Sequence, residues 1–241
     1  NFYGWQKQPD LETIQGVINN CIKILDPFSE GVVGAGRTDT GVHAIGQVAH
    51  VDLEKEWSPK ELQNAINYYL KSHLISIIAV ERVSPEFHAR FSALRRYYVY
   101  KIFIRNAPLA LEKNRYWYLK KSLNKDKMMD GANYLIGRHD FTTFRSSLCQ
   151  SKSPLKSIDK ITISEHSYLN GSIIEIHIQA KSFLHNQVRS IAGTLQKVGS
   201  KSWPPERVGE VLEAKNRSAC GPVAPPEGLY LTQVDYDKIL F

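Results

Sequence analysis

The densest run of chemistry-capable residues lies early in the chain, at Gly34-Ala-Gly-Arg37-Thr38-Asp39-Thr40-Gly41-Val42-His43-Ala44. Glycines and polar side chains following a short apolar run make a tight loop that can bring backbone and side chains close to a ligand. As a dinucleotide fingerprint the loop fails, because the sixth position of G-x-G-x-x-G is Asp39 and an acid there repels phosphate. As a Walker loop it fails for want of G-K-[ST]. What it presents is a carboxylate, Asp39, beside a cation, Arg37. Such a carboxylate can attack a substrate, stabilise developing positive charge or relay a proton. The same residues also suit a structural turn with a surface ion pair, and local chemistry does not choose between the two.

Other candidates are weaker on their own. Arg189 lies in a helical stretch and by itself reads as a solvent-facing arginine sooner than as a site residue. Tyr97, Tyr98 and Tyr100 share one predicted strand, where aromatic alternation usually marks sheet core, and strand parity sets Tyr97 on the opposite face from Tyr98. Leu229 fits ordinary core as well as a pocket wall. None of the eight histidines forms an H-E-x-x-H motif or an i, i+4 pair, so no metal site is expected.

The elements that must position these residues follow from periodicity. Leu11 to Leu25 repeats apolar residues at three- and four-residue steps, an amphipathic helix with Asp10 as its expected N-cap. Gly31 to Gly36 reads as a strand leading into the Asp39 loop, and Gln47 to Leu53 alternates like a strand covered on one side. Ser58-Pro59-Lys60-Glu61 carries a capping box and a first-turn proline, starting a helix that runs to about Leu70. Leu74 to Val83 is rich in β-branched residues and predicts another strand.

In the second half, Arg95 to Ile104 predicts a strand and Lys125 to Ile136 a helix stopped by Gly137. Ser157–Glu165 and Ser172–Ala180 pair through an Asn170-Gly171 hairpin turn. Helices follow at Phe183 to Val198 and from Pro204-Pro205 to about Ala214, and Leu229 to Val234 closes as a strand. This half reads β-α-β-β-α-(α)-β, the split βαβ or ferredoxin-like order, and the first half reads α-β-β-α-β. The expected fold is therefore α/β (α+β). Two pseudo-repeated halves, residues 1–84 and 85–241, form a mixed, mainly antiparallel sheet flanked by helices. The first half matches the second if an opening strand precedes Asn1, where the sequence begins without methionine.

Composition narrows the partners. The formal charge is +7, but residues 1–84 carry −3 and residues 85–241 carry +10, so a polyanion is plausible and the second half supplies the attraction. The longest nearly apolar run, Leu74 to Val80, is too short to cross a bilayer as a helix. Cys21, Cys149 and Cys220 lie far apart with no C-x-x-C, arguing against a disulfide scaffold or a cysteine-built zinc site.

The block Gly36-Arg37-Thr38-Asp39-x-Gly41-Val42-His43 resembles the signature of the tRNA pseudouridine synthase A family. So do Phe2-Tyr-Gly-Trp5-Gln6, Phe87-His88-Ala-Arg90-Phe91-Ser92-Ala93, Tyr98-x-Tyr100 and Asp140-Phe141-Thr-Thr-Phe144-Arg145. Phe183-Leu-His185-Asn-Gln-Val188-Arg189 and Ala224-Pro-Pro-Glu227-Gly228-Leu229-Tyr230-Leu231 complete a series that runs in family order along essentially the whole chain.

The resemblance implies a cofactor-free isomerisation of uridine to pseudouridine at tRNA positions 38, 39 and 40, in the anticodon stem-loop. Uracil is detached at N1, turned and rejoined through C5, in an active-site cleft between the halves. It implies that Asp39 is the essential carboxylate, that Arg189 pairs with it, and that Tyr98 stacks on uracil and relays a proton, leaving Tyr100 to packing. Arg37 assists extrusion of the nucleotide, Leu229 walls the pocket, and His43 belongs to the substrate-binding loop. Arg90, Arg96, Arg145 and Lys152 are expected at phosphates, with residues 144–154 resembling a tRNA-contacting loop. A homodimer is implied, no membrane association is expected, and cytoplasm is the default compartment, an organellar one staying open because of the expected N-terminal segment. A homologous synthase with another RNA target and a non-catalytic RNA-binding module are the alternatives.

Overall fold

A computed structural model describes residues 2–237, which divide into two compact units. The first holds the residues up to Gly41, Gly46–Leu94 and those from Val234 onward; the second holds Val42–Ile45 and Arg95–Gln233. The boundary therefore falls at Leu94, not at residue 84. Residues 85–94 are bound into the first unit, where Ala89 N–H donates to His50 Nδ1 at 3.1 Å and Ala89 O accepts from the Tyr236 hydroxyl at 2.7 Å.

In the first unit α1 (Ile14–Leu25) buries Val17, Ile18, Cys21 and Ile22. It begins later than expected, and Thr13 rather than Asp10 caps it, the hydroxyl accepting from Gly16 N–H at 3.2 Å. The reason is local: Glu12 O accepts from Tyr3 N–H and Gly4 O from Ile14 N–H, so the chain before Ile14 is laced to residues 3–5 instead. β1 (Val33–Gly34) pairs antiparallel with β3 (Ala49–His50), forming a two-stranded sheet. Between them in sequence, β2 (His43–Ala44) belongs to the second unit. α2 (Pro59–Tyr69) starts on the expected capping box, with both reciprocal bonds between Ser58 and Glu61 formed. Trp5, Ile22, Leu62, Ile66 and Leu70 make the core of this unit.

The strand expected over Leu74–Val83 does not form a ladder among the described residues. Its backbone is engaged by amide side chains of α2 instead. Asn67 exchanges two bonds of 2.8 Å with the Ile77 N–H and carbonyl, and Gln63 Nε2 donates to the carbonyls of Ile77 and Ile78. The β-branched pattern is satisfied as an extended segment, and the first unit carries less sheet than its hydrophobic alternation suggests.

Among the described residues the second unit is built on a seven-stranded sheet in the order β2, β9 (Leu229–Asp235), β4 (Arg95–Ile104), β8 (Gly171–Ala180), β7 (Leu155–Tyr168), β6 (Gly137–Asp140), with β5 (Trp117–Leu119) beside β4. β4, β7 and β8 form the long antiparallel centre, and the Asn170-Gly171 turn joins the last two. Two short strands, β5 and β6, were not expected from periodicity. Each is too short to display alternation. β9 runs parallel to β2, and β5 runs parallel to β4. The unit is thus α+β with a mixed, mainly antiparallel sheet.

Helices α3 (Lys125–Asn133), α4 (Gln187–Gly199) and α5 (Arg207–Glu213) belong to this unit. Their apolar faces join Tyr100, Ile102, Ile174, Ile176, Met128, Ile191 and Leu195 in one core. α4 begins after the expected Phe183 because Asn186 takes a left-handed conformation, φ 63°, which interrupts the helical path. α5 is likewise shorter than its periodic stretch.

Candidate active site

Asp39 sits in a turn whose shape is set from behind. Trp5 N–H donates to Thr38 O at 3.0 Å, and a Cβ on Gly4, which has φ +82°, would lie 2.7 Å from that same carbonyl. Only glycine permits both the conformation and the approach. Gln47 Nε2 donates to Gly36 O at 2.8 Å, and Ala35 N–H donates to Val48 O at 2.7 Å. Gly34 lies flat against the Trp5 indole, where a Cβ would come within 2.6 Å of ring atoms. Gly34 therefore seats an indole and Gly4 a backbone crossing. The Phe2-Tyr-Gly-Trp5 block clamps the Asp39 turn, a pairing invisible in either block alone. Thr38 is buried, Asp39 half-buried and Arg37 exposed.

Past Gly41 the chain enters the second unit. His43 stacks on Tyr230 with ring centroids 4.7 Å apart, and its Nε2 lies 2.8 Å from Asn114 O. β2 and β9 pair His43 with Tyr230 and Ala44 with Leu231. In this position His43 anchors the strand that follows the loop. Burial pushes the Tyr230 hydroxyl up to about 12, so it stays a neutral donor to Arg115 O at 2.7 Å.

The second unit carries the remaining candidates. Arg189 lies in the first turn of α4, half-buried. Its Nε donates to Ala224 O at 2.8 Å and its Nη1 to Asn186 Oδ1 at 3.0 Å, while its own carbonyl accepts from Ala224 N–H at 3.1 Å. The segment bearing Ala224 can reach α4 because Gly193 offers no side chain: a Cβ there would fall 1.8 Å from Pro222 O. Gly221 closes in on Thr194 in the same way, with its N–H 3.2 Å from Thr194 Oγ1.

On β4, Tyr100 is fully buried and its hydroxyl donates to Pro225 O at 2.7 Å. Burial, and secondarily the Glu227 carboxylate, raise its pKa far above the ordinary phenol range, so it acts as a fixed neutral donor. Tyr98, half-buried, meets Phe183 edge to face at 5.2 Å between centroids. Tyr97 is on the other strand face, its carbonyl accepting from the Thr232 hydroxyl. Leu229 is 7% exposed and packs in the core. The Ala224–Leu231 block thus orients both Arg189 and Tyr100, a role its composition did not announce.

The basic residues separate by environment. Arg90 and Lys152 are exposed, the former with its guanidinium 5.5 Å from the Phe91 ring centroid. Arg145 is half-buried beside Asp140, whose carboxyl is held low chiefly by the Thr142 hydroxyl, with Lys215 and Arg145 adding attraction. Arg96 differs: it is 9% exposed and its Nη1 donates to Lys181 O at 2.7 Å, which ties the start of β4 to the end of β8. The loop after Phe144 is joined to the Phe183–Arg189 block through Ser146 N–H and His185 O at 2.9 Å. Among the described residues no group of three His, Cys, Asp or Glu side chains is arranged to hold a metal ion, and no helix is long and apolar enough to cross a membrane.

The sequence matches the tRNA pseudouridine synthase family over residues 1–92 and 132–237. A tRNA pseudouridine synthase A from Ruegeria sp. (strain TM1040) is 48% identical over 240 residues, covering 100% of this chain and 93% of the relative. Its namesake from Sinorhizobium fredii (strain NBRC 101917 / NGR234) is 49% identical over 238 residues, 98% of this chain and 95% of the relative. Among solved structures, a chain of a Cbf5-Nop10-Gar1 complex aligns over 97% of this chain and 55% of its own length, with TM-score 0.37 and 12% identity, a remote likeness only. Matches of that extent and identity settle the family: the chain belongs to the tRNA pseudouridine synthase A family.

Proposed function

We propose that this chain is an isomerase that converts uridine to pseudouridine at positions 38, 39 and 40 of the tRNA anticodon stem-loop, without a cofactor. The observation that carries the reading is the Asp39 turn, a carboxylate displayed on a loop that Gly4 and Trp5 hold in one shape. The relatives' printed name, tRNA pseudouridine synthase A, supports the reaction class and the tRNA substrate.

The chemistry needs such a group. Breaking the N1–C1′ glycosidic bond develops positive charge at the sugar, and an anion there stabilises or captures it. A bond from C5 to C1′ then forms, the C5 proton is lost and the freed N1 takes up a proton, so the product is an isomer of the substrate. Arg189 supplies the permanent cation to pair with that carboxylate. Tyr98 offers a ring to stack on uracil and a hydroxyl for proton transfer. Arg37 compensates the cost of extruding a stacked base, about a few kcal/mol. His43 holds the substrate loop through its stack on Tyr230, and Leu229 bounds the uracil.

Arg90, Arg145 and Lys152 meet phosphates and make binding salt-dependent without reading sequence. Arg96 acts behind them by fixing β4. The reading extends to a homodimer in the cytoplasm, one tRNA touching both subunits.

The test is to incubate the protein with unmodified tRNA carrying uridines at 38, 39 and 40 and to map pseudouridine chemically, beside Asp39→Ala. Wild type is expected to modify those positions and D39A to lose at least roughly 10³-fold in rate while still binding tRNA. Modification elsewhere in the RNA would transfer the reading to a synthase with another target. Binding by a folded wild type that modifies nothing would refute catalysis and leave an RNA-binding module.

A further inference from the structure

We propose that Asn186 is a positioning residue of the isomerising site, acting through Arg189; this rests on the reading of Arg189 above. Asn186 precedes the first residue of α4, where an asparagine ordinarily adopts extended backbone and caps the helix with its side chain. Here it does neither. Its backbone is left-handed, φ 63° and ψ 5°, and its side chain makes no capping bond. That side chain is committed to Arg189 instead, Oδ1 accepting from Nη1 at 3.0 Å. Asparagine is among the few residues other than glycine that tolerate this conformation, and its amide oxygen is what the guanidinium uses.

The second hold is on a different nitrogen, with Nε donating to Ala224 O at 2.8 Å. Acceptors on both Nε and Nη1 fix the plane of a rigid guanidinium as well as its place. Both acceptors are neutral carbonyl oxygens, so they orient the cation without cancelling its charge. The backbone of the same segment returns a bond to α4, Ala224 N–H to Arg189 O at 3.1 Å, so the two holds share one frame. Without Asn186 the hold on Nη1 is lost while the Nε bond to Ala224 O remains.

Glycine accepts the left-handed backbone and removes only the amide, which makes Asn186→Gly the informative variant. N186G is expected to melt as the wild type does, to lose about tenfold in kcat and to keep its KM for tRNA within about twofold. Asn186→Asp retains an oxygen in the same place but adds a negative charge beside the cation, so it is expected to restore the hold on the guanidinium while kcat stays low. Independently of activity, NMR of the Arg189 guanidinium should show slowed Nη rotation in the wild type that speeds up in N186G.

Wild-type kcat in folded N186G, fast guanidinium rotation in N186D, or unchanged guanidinium rotation in N186G would each overturn the proposal. A fully active Arg189→Ala would instead overturn the reading of the site, whereas an inactive R189A beside an unimpaired N186G would defeat only the role of Asn186.

Discussion

The Asp39 turn and the Arg189 wall reach fixed geometry by different means. In the first unit a two-stranded sheet of two-residue strands holds the loop, and its shape comes from close backbone approaches at Gly4 and Gly34 against Thr38 and Trp5. In the second, long strands and a thirteen-residue helix provide the frame, and a loop is pressed onto that helix at Gly193 to hold the arginine. A carboxylate on a loop thus depends on what cannot be added to its neighbours, while a cation on a helix depends on which carbonyls reach it.

Adding a methyl group to each side separates the two. Gly193→Ala meets a backbone carbonyl at 1.8 Å, which cannot yield without moving the Pro222–Ala224 segment. Overpacking of that kind costs about 3 kcal/mol or more, and both the melting midpoint and the activity are expected to fall. Gly34→Ala meets the Trp5 ring at 2.6 Å. A side chain can shift where a carbonyl cannot, so about 1–3 kcal/mol is expected, seen as quenched or shifted Trp5 emission. An equal loss in the two variants would erase the distinction.

The tyrosine pair sharpens the comparison within β4. Tyr98→Phe is expected to lower kcat by roughly 10²-fold with little change in stability. Tyr100→Phe gives up the bond to Pro225 O and is expected to cost about 0.5–1.5 kcal/mol of stability while kcat changes little. Denaturant midpoints beside steady-state rates decide it, and exchanged phenotypes would exchange the roles.

The smallest effect belongs to the first unit and to pH. Burial pushes the His50 pKa down, the nearby His88 adds to the shift, and Asp52 opposes it. The folded state therefore prefers the neutral ring, whose Nδ1 accepts from Ala89 N–H. Stability from this group is complete above the unfolded value of about 6.5 and is lost as pH falls through that value toward the lowered one. Between pH 7.5 and 5.0 the wild-type midpoint should drop by a few degrees more than that of His50→Asn, and parallel curves would exclude the contribution.

Where one residue pattern decided the structure, the sequence was readable. The ten-residue alternation of β4, the Ser58 capping box and the Asn170-Gly171 turn all appear where expected. Where partners decided it, the sequence was silent. Leu74–Val83 has the composition of a strand, yet the amides of Gln63 and Asn67 occupy its backbone. Leu11–Thr13 has helical spacing, but Glu12 O is taken by Tyr3 N–H, and Ile14 and Gln15 donate to the carbonyls of Gly4 and Trp5. The candidate site shows the same division. Asp39 and Arg189 stand out by residue type within their blocks, whereas Gly4, Gly193, Asn186 and Ala224 act through backbone or a single amide that no composition marks.

The order in which the chain visits its units has a consequence for synthesis. Residues 95–233 are spent on the second unit before the chain returns to the first at Val234, where Asp235 O receives Leu94 N–H and the Tyr236 hydroxyl reaches back 147 positions to Ala89 O. A growing chain therefore cannot seal the unit that carries Asp39 until the other has left the ribosome. Closures over such separations are slow, so the nascent first unit must wait with its Ala89 corner open, and products truncated just after Gln233 would leave that corner unsealed while keeping Asn186, Arg189 and Ala224.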